Sequence, residues 1–168
     1  MSMHVLEESP TTDSAFGGAP DDRSLEERLA SGFILIDKPA GPTSHQLAAW
    51  ARDLLGLERL GHGGTLDPFA TGVLPLMTGR CMKITNKILK HRKSYIAVFR
   101  FKDIPEESVL KSTMASMTGR IYNVPPEVSA VKVQVRTRTI HAFELLDVDG
   151  KDAVARITCE AGTYIRTM

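Results

Sequence analysis

The chain has 168 residues, 42% of them hydrophobic, and carries a net charge of +1, which suits one domain with a packed core or one domain with a tail. No apolar run approaches the roughly 20 residues that span a bilayer, and the N-terminus lacks the layout of a secretory signal. Cys81 and Cys159 have no metal-type spacing, so we interpret them as reduced thiols of a cytoplasmic protein, with a disulfide as the alternative.

The small net charge hides an asymmetry. Residues 1–31 hold seven acidic and two basic side chains, whereas residues 32–168 hold nineteen basic and thirteen acidic ones. We predict that residues 1–31 form an acidic, largely disordered arm rich in Pro, Gly, Ser and Asp, with a short helix from Ser24. The basic remainder is compatible with a polyanionic partner.

The first ordered elements surround a short apolar strand and a helix. Residues 33–36 predict the strand, which the turn DKPAGP ends. Thr43 and Ser44 are typical of a helix N-cap, and the helix runs to Gly56. Its apolar positions at helical spacing are Leu47, Trp50, Ala51 and Leu54.

The middle of the chain predicts a loop over residues 61–75, a second helix over about residues 80–91 and a half-buried strand over residues 94–101. A third helix follows Pro105 and runs to about Met117.

The last third is rich in β signals. Segments of about residues 138–148 and 153–160 predict a hairpin joined at Asp149-Gly150-Lys151, and residues 163–166 predict a final short strand. Helices and strands do not alternate regularly, so we expect an α+β fold with a mixed, mostly antiparallel sheet and flanking helices.

The loop GHGGTLDPFATGVLP contains a single carboxylate, Asp67. Taken alone, this acid suggests an Asx-turn or a helix cap, but the glycines permit close approaches and Pro68 stiffens the chain, which suggests a nucleophile or general base. His62 is interpreted as a catalytic base, a stacking ring or a satisfied structural histidine, and the last fits best without further context.

Three other segments each contain a candidate functional side chain. Lys38 lies beside a rigid turn, and Tyr95 begins a strand, where a packing aromatic is the simpler interpretation. Arg166 follows Tyr164 by two residues and shares its face if the segment is extended. An arginine there is either an exposed cation or the partner that holds a carboxylate ionised and oriented.

These residues belong to motifs that resemble, in the same order, those of the TruB/dyskerin family of pseudouridine synthases. The motifs are GFILIDKPAGPTSH, GHGGTLDPFATGVLP, KSYIAVF, NVPPEVSAVK and AGTYIRT, and the resemblance covers nearly all of residues 32–168. It implies a pseudouridine synthase catalytic fold that isomerises a uridine within rRNA or tRNA, with no metal or organic cofactor.

The resemblance also implies roles for single residues. Asp67 corresponds to the catalytic aspartate, Tyr95 to the active-site tyrosine and Arg166 to the arginine that pairs with the aspartate. His62 corresponds to the position beside the flipped nucleotide, and Lys38 to the motif that supports the catalytic loop. The predicted RNA or nucleotide contacts are Lys38, His62, Gly64, Thr65, Lys132 and Tyr164.

Basic side chains add candidate phosphate contacts, for which a solvated surface is the alternative. On the second predicted helix, Lys83, Lys87 and Lys90 share one face, with Arg92 and Lys93 just beyond. After NVPPEVSA, a second predicted contact loop contains Lys132, Arg136 and Arg138.

The short segment between VSAVK and RTRTIH favours the archaeal, dyskerin-like branch, which works with H/ACA guide RNA and small partner proteins, over stand-alone enzymes that modify position 55 of the tRNA T-loop.

We expect residues 32–168 to be a catalytic domain truncated at its C-terminus and without a PUA domain, and the acidic arm lies outside the motifs. A non-catalytic RNA-binding fragment is the alternative from another functional class. A third hypothesis is a metal hydrolase that uses His62 and Asp67, although the loop holds too few metal ligands.

Overall fold

A computed structural model describes residues 14–16, 18–126 and 133–168 of the chain. The chain divides into two compact units, residues 1–85 and 86–168. Each contains its own sheet, and the paired strands of both sheets are antiparallel. The predicted α+β class with flanking helices is therefore confirmed.

The first unit is built on a three-stranded sheet of order β1-β3-β2. Its core consists of Ala48, Leu74 and Leu76. The helix that contains Ala48 therefore packs on the central strand, which contains Leu74 and Leu76. Its elements are α1 (Leu25–Ala30), β1 (Phe33–Lys38), α2 (Ser44–Leu54), β2 (Leu60–His62) and β3 (Gly72–Thr78), with 3-10 turns at Ser14–Phe16, Pro20–Asp22 and Gly79–Ile84.

Both helices of this unit begin where the sequence places a capping residue. Ser24 and Glu27 form a capping box at α1, and Thr43 and Gln46 form another at α2. Each box satisfies backbone N–H groups that have no partner inside the helix. The predicted helix start at Ser24 and the predicted N-cap of α2 are thus confirmed.

The buried face of α2 differs from the predicted one. Trp50 is 57% exposed and Leu54 is 87% exposed. The helix instead presents Ser44, Ala48 and the partly buried Leu47 and Ala51 to the sheet. Ala48 packs directly against Leu74 and Leu76 of β3, so a small side chain, and not the indole of Trp50, lies between this helix and the sheet.

The second unit is built on a four-stranded sheet of order β4-β7-β6-β5. Alternating side chains of β4 pack on a core of Ile140, Ile157 and Cys159. The elements are α3 (Thr85–Lys90), β4 (Lys93–Arg100), α4 (Glu107–Ser116), β5 (Gly119–Asn123), β6 (Arg136–Asp149), β7 (Asp152–Cys159) and a 3-10 turn at Ile165–Thr167. The predicted strand, helix and hairpin of this part are confirmed within two residues.

Three predicted elements need correction, and one strand was missed. The predicted loop of residues 61–75 is shorter, because both of its ends pair as β2 and β3. The second helix is α-helical only over Thr85–Lys90, since residues 79–84 form a 3-10 turn. Strand β5 was not predicted. The final segment is a 3-10 turn rather than a strand, so Tyr164 and Arg166 do not share a face of an extended segment.

In the part of the chain that the structure describes, no helix combines the length and apolar character needed to cross a membrane.

Gly79 is the position where α1 meets the end of β3. Its φ is +48°, and an added Cβ would lie 1.9 Å from the carbonyl oxygen of Ala30. Gly56 has a similar φ of +62° with no atom within 4 Å of such a Cβ. The two glycines therefore share a backbone conformation and differ in the room that is available for a side chain.

We predict that Gly79→Ala lowers the free energy of unfolding by about 2–4 kcal/mol, since it combines a clash with an unfavourable φ. Gly56→Ala is the matched control and should lose only about 1 kcal/mol, the cost of the left-handed conformation. Urea titration of both variants measures the difference. Equal losses would show that α1 does not pack on Gly79 as described.

Candidate active site

Asp67 lies in a loop, residues 63–71, that is held mainly through its backbone. The ammonium of Lys38 is completely buried and donates hydrogen bonds to the carbonyl oxygens of Pro39 at 2.9 Å, Pro68 at 3.2 Å and Ala70 at 2.8 Å. Three acceptors match the three N–H donors of an ammonium group. Lys38 thereby fixes the chain on the C-terminal side of Asp67.

The N-terminal side of Asp67 is held by the start of α2. The hydroxyl of Ser44 accepts a hydrogen bond from the backbone N–H of Leu66 at 3.0 Å and also lies 3.3 Å from the Leu66 carbonyl oxygen. Gly41, with φ +112°, donates its N–H to the Pro68 carbonyl at 2.8 Å. The peptide groups on both sides of Asp67 are therefore fixed by the β1–α2 segment.

The loop also closes on itself. The backbone N–H of Ala70 donates to the carbonyl of Asp67 at 3.0 Å, and the side chain of Asp67 is partly buried. A backbone held in this way fixes the Cα–Cβ bond of Asp67, so the carboxylate needs less reorganisation than one on a flexible loop. The arrangement can present a fixed negative charge or a nucleophilic oxygen to a bound molecule.

His62 ends β2 at the entrance to this loop. Its Nδ1 lies 2.5 Å from the carbonyl oxygen of Gly64, which makes Nδ1 the protonated nitrogen. The ring of His45 meets it edge to face, with 4.8 Å between centroids. Burial lowers the pKa of His62, while the hydrogen bond to Gly64 opposes that change. His62 is thus a neutral ring at pH 7, and its Nε2 is an acceptor.

In the second unit, Tyr95 and the Ile165–Thr167 turn meet on one hydrophobic cluster. Tyr95 and Ile165 both pack against Ile140, Ile157 and Cys159. This contact agrees with the packing interpretation of Tyr95. It also brings the predicted tyrosine close to the segment that carries Arg166.

The segment that carries Arg166 is held by a side chain that the sequence analysis did not select. Asn123 is 3% exposed; it accepts a hydrogen bond from the N–H of Tyr164 at 2.9 Å and donates to the carbonyl of Tyr164 at 3.1 Å. Asn123 follows the inward-facing Ile121 by two residues, and that spacing was the signal available in the sequence.

Two predicted phosphate contacts have structural partners instead. Lys93 donates to the carbonyl oxygens of Ile88 and His91 at the end of α3. Arg138 donates to the carbonyl oxygens of Gly162 and Thr137. Lys83 and Lys87 do not share a helical face, because a 3-10 turn precedes α3.

The predicted site residues divide between the units. Those of the first unit are Lys38, His62, Gly64, Thr65 and Asp67, and those of the second are Tyr95, Tyr164 and Arg166. The buried position of Lys38 favours support of the loop over contact with a nucleotide. The Asp67–Arg166 ion pair stays a prediction, and Lys132 lies outside the described residues.

We predict that Lys38→Met lowers the free energy of unfolding by about 2–4 kcal/mol, because it leaves the carbonyl oxygens of Pro39 and Ala70 without their donor and removes one of the two donors to Pro68. The exposed Lys83 provides the control, and Lys83→Met should change the free energy by less than about 0.5 kcal/mol. Urea unfolding followed by circular dichroism measures both. Similar values for the two variants would contradict the role given to Lys38.

For His62 we predict a pKa below the ordinary value of 6.5. The unfolded chain then binds the proton more tightly than the folded protein, so His62 makes the free energy of unfolding decrease as the pH falls below about 6.5. NMR titration of the ring C–H signals measures the pKa. His62→Gln should reduce the pH dependence of unfolding, and a measured pKa above 6.5 would refute the prediction.

Comparison with known proteins assigns the chain to a family. Residues 52–107 and 102–165 match the TruB family pseudouridylate synthase (N terminal domain), and residues 2–48 match the DKCLD (NUC011) domain. The acidic arm therefore has a family counterpart, contrary to the expectation that it lies outside known motifs.

Archaeal proteins are among the relatives. The chain is 43% identical over 166 residues to the probable tRNA pseudouridine synthase B of Methanothermobacter thermautotrophicus, covering 99% of this chain and 51% of that protein. It is 45% identical over 149 residues to the protein of the same description from Halobacterium salinarum, covering 89% and 49%. The chain thus spans about half the length of the curated relatives that it matches.

Solved structures agree with this assignment. A crystal structure of a Cbf5-Nop10-Gar1 complex contains a chain with a TM-score of 0.83 and 40% identity, covering 96% of this chain and 49% of the other. An H/ACA RNP bound to a substrate RNA containing 2'-deoxyuridine gives a TM-score of 0.82 and 35% identity, covering 96% and 48%. These matches support the dyskerin-like branch, and the chain belongs to the TruB family of pseudouridine synthases.

Proposed function

We propose that the protein is an RNA pseudouridine synthase and acts as the catalytic subunit of an H/ACA-type guide-RNA particle. The observation that carries the proposal is Asp67, which lies between two backbone segments fixed by Ser44 and Lys38. In a chain of this family, such a carboxylate is the natural candidate for the catalytic group.

The chemistry of the isomerisation explains why a fixed carboxylate is needed. The N1–C1′ bond of uridine is broken, the uracil rotates, and a C5–C1′ bond forms with loss of the C5 proton. Cleavage develops positive charge at C1′. Asp67 stabilises that charge, adds to the sugar, or assists removal of a C2′ proton. All three routes require a carboxylate oxygen close to C1′ or C2′ of the target sugar.

The target base must leave the RNA stack before C5 can be reached. Tyr95 provides an aromatic surface for the everted base, and His62 a neutral ring beside it. Arg166 pairs with Asp67 in this proposal and keeps the carboxylate ionised and oriented. Gly64, Thr65, Tyr164 and Lys132 remain proposed contacts to RNA.

Support for guide dependence comes from the solved structures, in which similar chains belong to H/ACA particles or to complexes with Nop10 and Gar1. We therefore propose H/ACA guide RNA and proteins of these two kinds as partners. We also propose a cytoplasmic location, which the two free thiols of Cys81 and Cys159 support.

The proposal predicts the effect of Asp67→Asn in a reconstituted particle, which contains this protein, an H/ACA guide RNA and proteins of the Nop10 and Gar1 kinds. The single-turnover rate of pseudouridine formation should fall by about 10³-fold or more, roughly 4 kcal/mol of transition-state stabilisation. RNA affinity should change less than about twofold. The exposed Asp22 gives the control variant, Asp22→Asn, which should be as fast as wild type.

Retained activity of Asp67→Asn would refute the catalytic role. Salt-dependent RNA binding by the wild-type particle without any product would favour the non-catalytic alternative. The archaeal relatives are described as tRNA pseudouridine synthases, which makes tRNA a second candidate substrate. The same assay is therefore run on a tRNA transcript without guide RNA. Product under that condition alone would replace the guide-dependent branch with the stand-alone one.

A further inference from the structure

The amide of Asn123 holds the segment of Arg166 from both ends. Besides its two hydrogen bonds with the backbone of Tyr164, Asn123 lies 3.3 Å from the hydroxyl of Thr167 as a donor. That hydroxyl in turn donates to the carbonyl of Val124 at 2.8 Å. Arg166 lies between the two anchored positions, 164 and 167, inside a single 3-10 turn.

The chemistry of this contact requires an amide. Asn123 presents an acceptor and a donor in one plane, which matches the N–H and C=O of Tyr164 as another strand would. Alanine would lose both interactions, and aspartate would keep the acceptor and lose the donor. Since Asn123 is almost fully buried, water cannot replace the lost partner without a change in the position of the turn.

The rest of the unit does not depend on this contact. The preceding turn has its own hydrogen bonds, from Arg138 to the Gly162 carbonyl and from Thr163 to the Glu160 carbonyl. The β6–β7 hairpin is paired from Ile140 and Cys159 to Asp149 and Asp152, with irregularities between Ile140 and Ala142 and between Leu145 and Asp147. Loss of the Asn123 amide should therefore displace the Ile165–Thr167 turn while the sheet remains folded.

We propose that Asn123 is a positioning residue for Arg166: it fixes the backbone on both sides of the guanidinium and so determines where the guanidinium acts in the reaction. The inference rests on the proposed function, because it assigns Arg166 to the active site. It adds Asn123, a residue 43 positions before Arg166 in the sequence, to the machinery of isomerisation.

The test is a double-mutant cycle in the reconstituted particle. Its target RNA pairs with the guide RNA and offers one uridine for modification. Asn123→Ala should lower the single-turnover rate constant about 10- to 100-fold, because small displacements of a catalytic group have effects of that size. The affinity for target RNA should change less than about twofold. Asn123→Asp should fall between wild type and Asn123→Ala.

The cycle separates positioning from general destabilisation. If Asn123 acts through Arg166, the double variant Asn123→Ala/Arg166→Ala should be no more than about twofold slower than Arg166→Ala alone. The exposed Asn86 supplies the matched control, and Asn86→Ala should keep the wild-type rate. The inference would be overturned if the fold-losses in rate of the two single variants multiplied in the double variant. A wild-type rate for Asn123→Ala would also overturn it.

A second measurement keeps this result apart from the proposed function. Hydrogen exchange of the Tyr164 amide should accelerate about 100-fold in Asn123→Ala and remain unchanged in Asn86→Ala. A wild-type particle that makes no pseudouridine would refute the proposed function, and the exchange data would still decide whether Asn123 holds the turn. Unchanged exchange at Tyr164 would overturn the inference whatever the activity.

Discussion

Three backbone carbonyl oxygens converge on the buried ammonium of Lys38, and the position of Asp67 depends on that convergence. Burial of a charge is costly unless its donors are satisfied, so the ammonium and the loop require each other. Lys38 is the last residue of β1 and pairs with Gly72 at the start of β3. The register of the small sheet therefore sets the place of the ammonium, and the ammonium sets the place of the loop.

In each unit, a buried side chain holds the backbone beside a predicted site residue. Ser44 holds Leu66 from 22 residues away, and Asn123 holds Tyr164 from 41 residues away. A support of this kind leaves the functional side chains available for their own interactions. Such preorganisation is the feature that electrostatic catalysis requires.

The sequence predicted the elements that depend on local signals. Capping residues at Ser24 and Thr43 and the turn at Gly150 sufficed for two helices and a hairpin. It did not predict the buried face of α2, because the helix has two apolar stripes and only packing against the sheet selects between them. The final strand was wrong because Asn123 occupies the hydrogen-bonding groups of Tyr164. Motif resemblance predicted the role of Asp67, whereas Ser44 and Asn123 act through contacts between distant positions that no local pattern records.

Native-state hydrogen exchange of the loop amides tests most directly the claim that Asp67 is held by its flanking backbone. The N–H groups of Leu66 and Gly41 donate to Ser44 and Pro68, and Ala70 donates to Asp67. We expect all three amides to exchange at least about 10³-fold more slowly than an unstructured peptide, through openings that approach global unfolding. Exchange at the rate of an unstructured peptide would contradict the account, because the carboxylate would then have no fixed position.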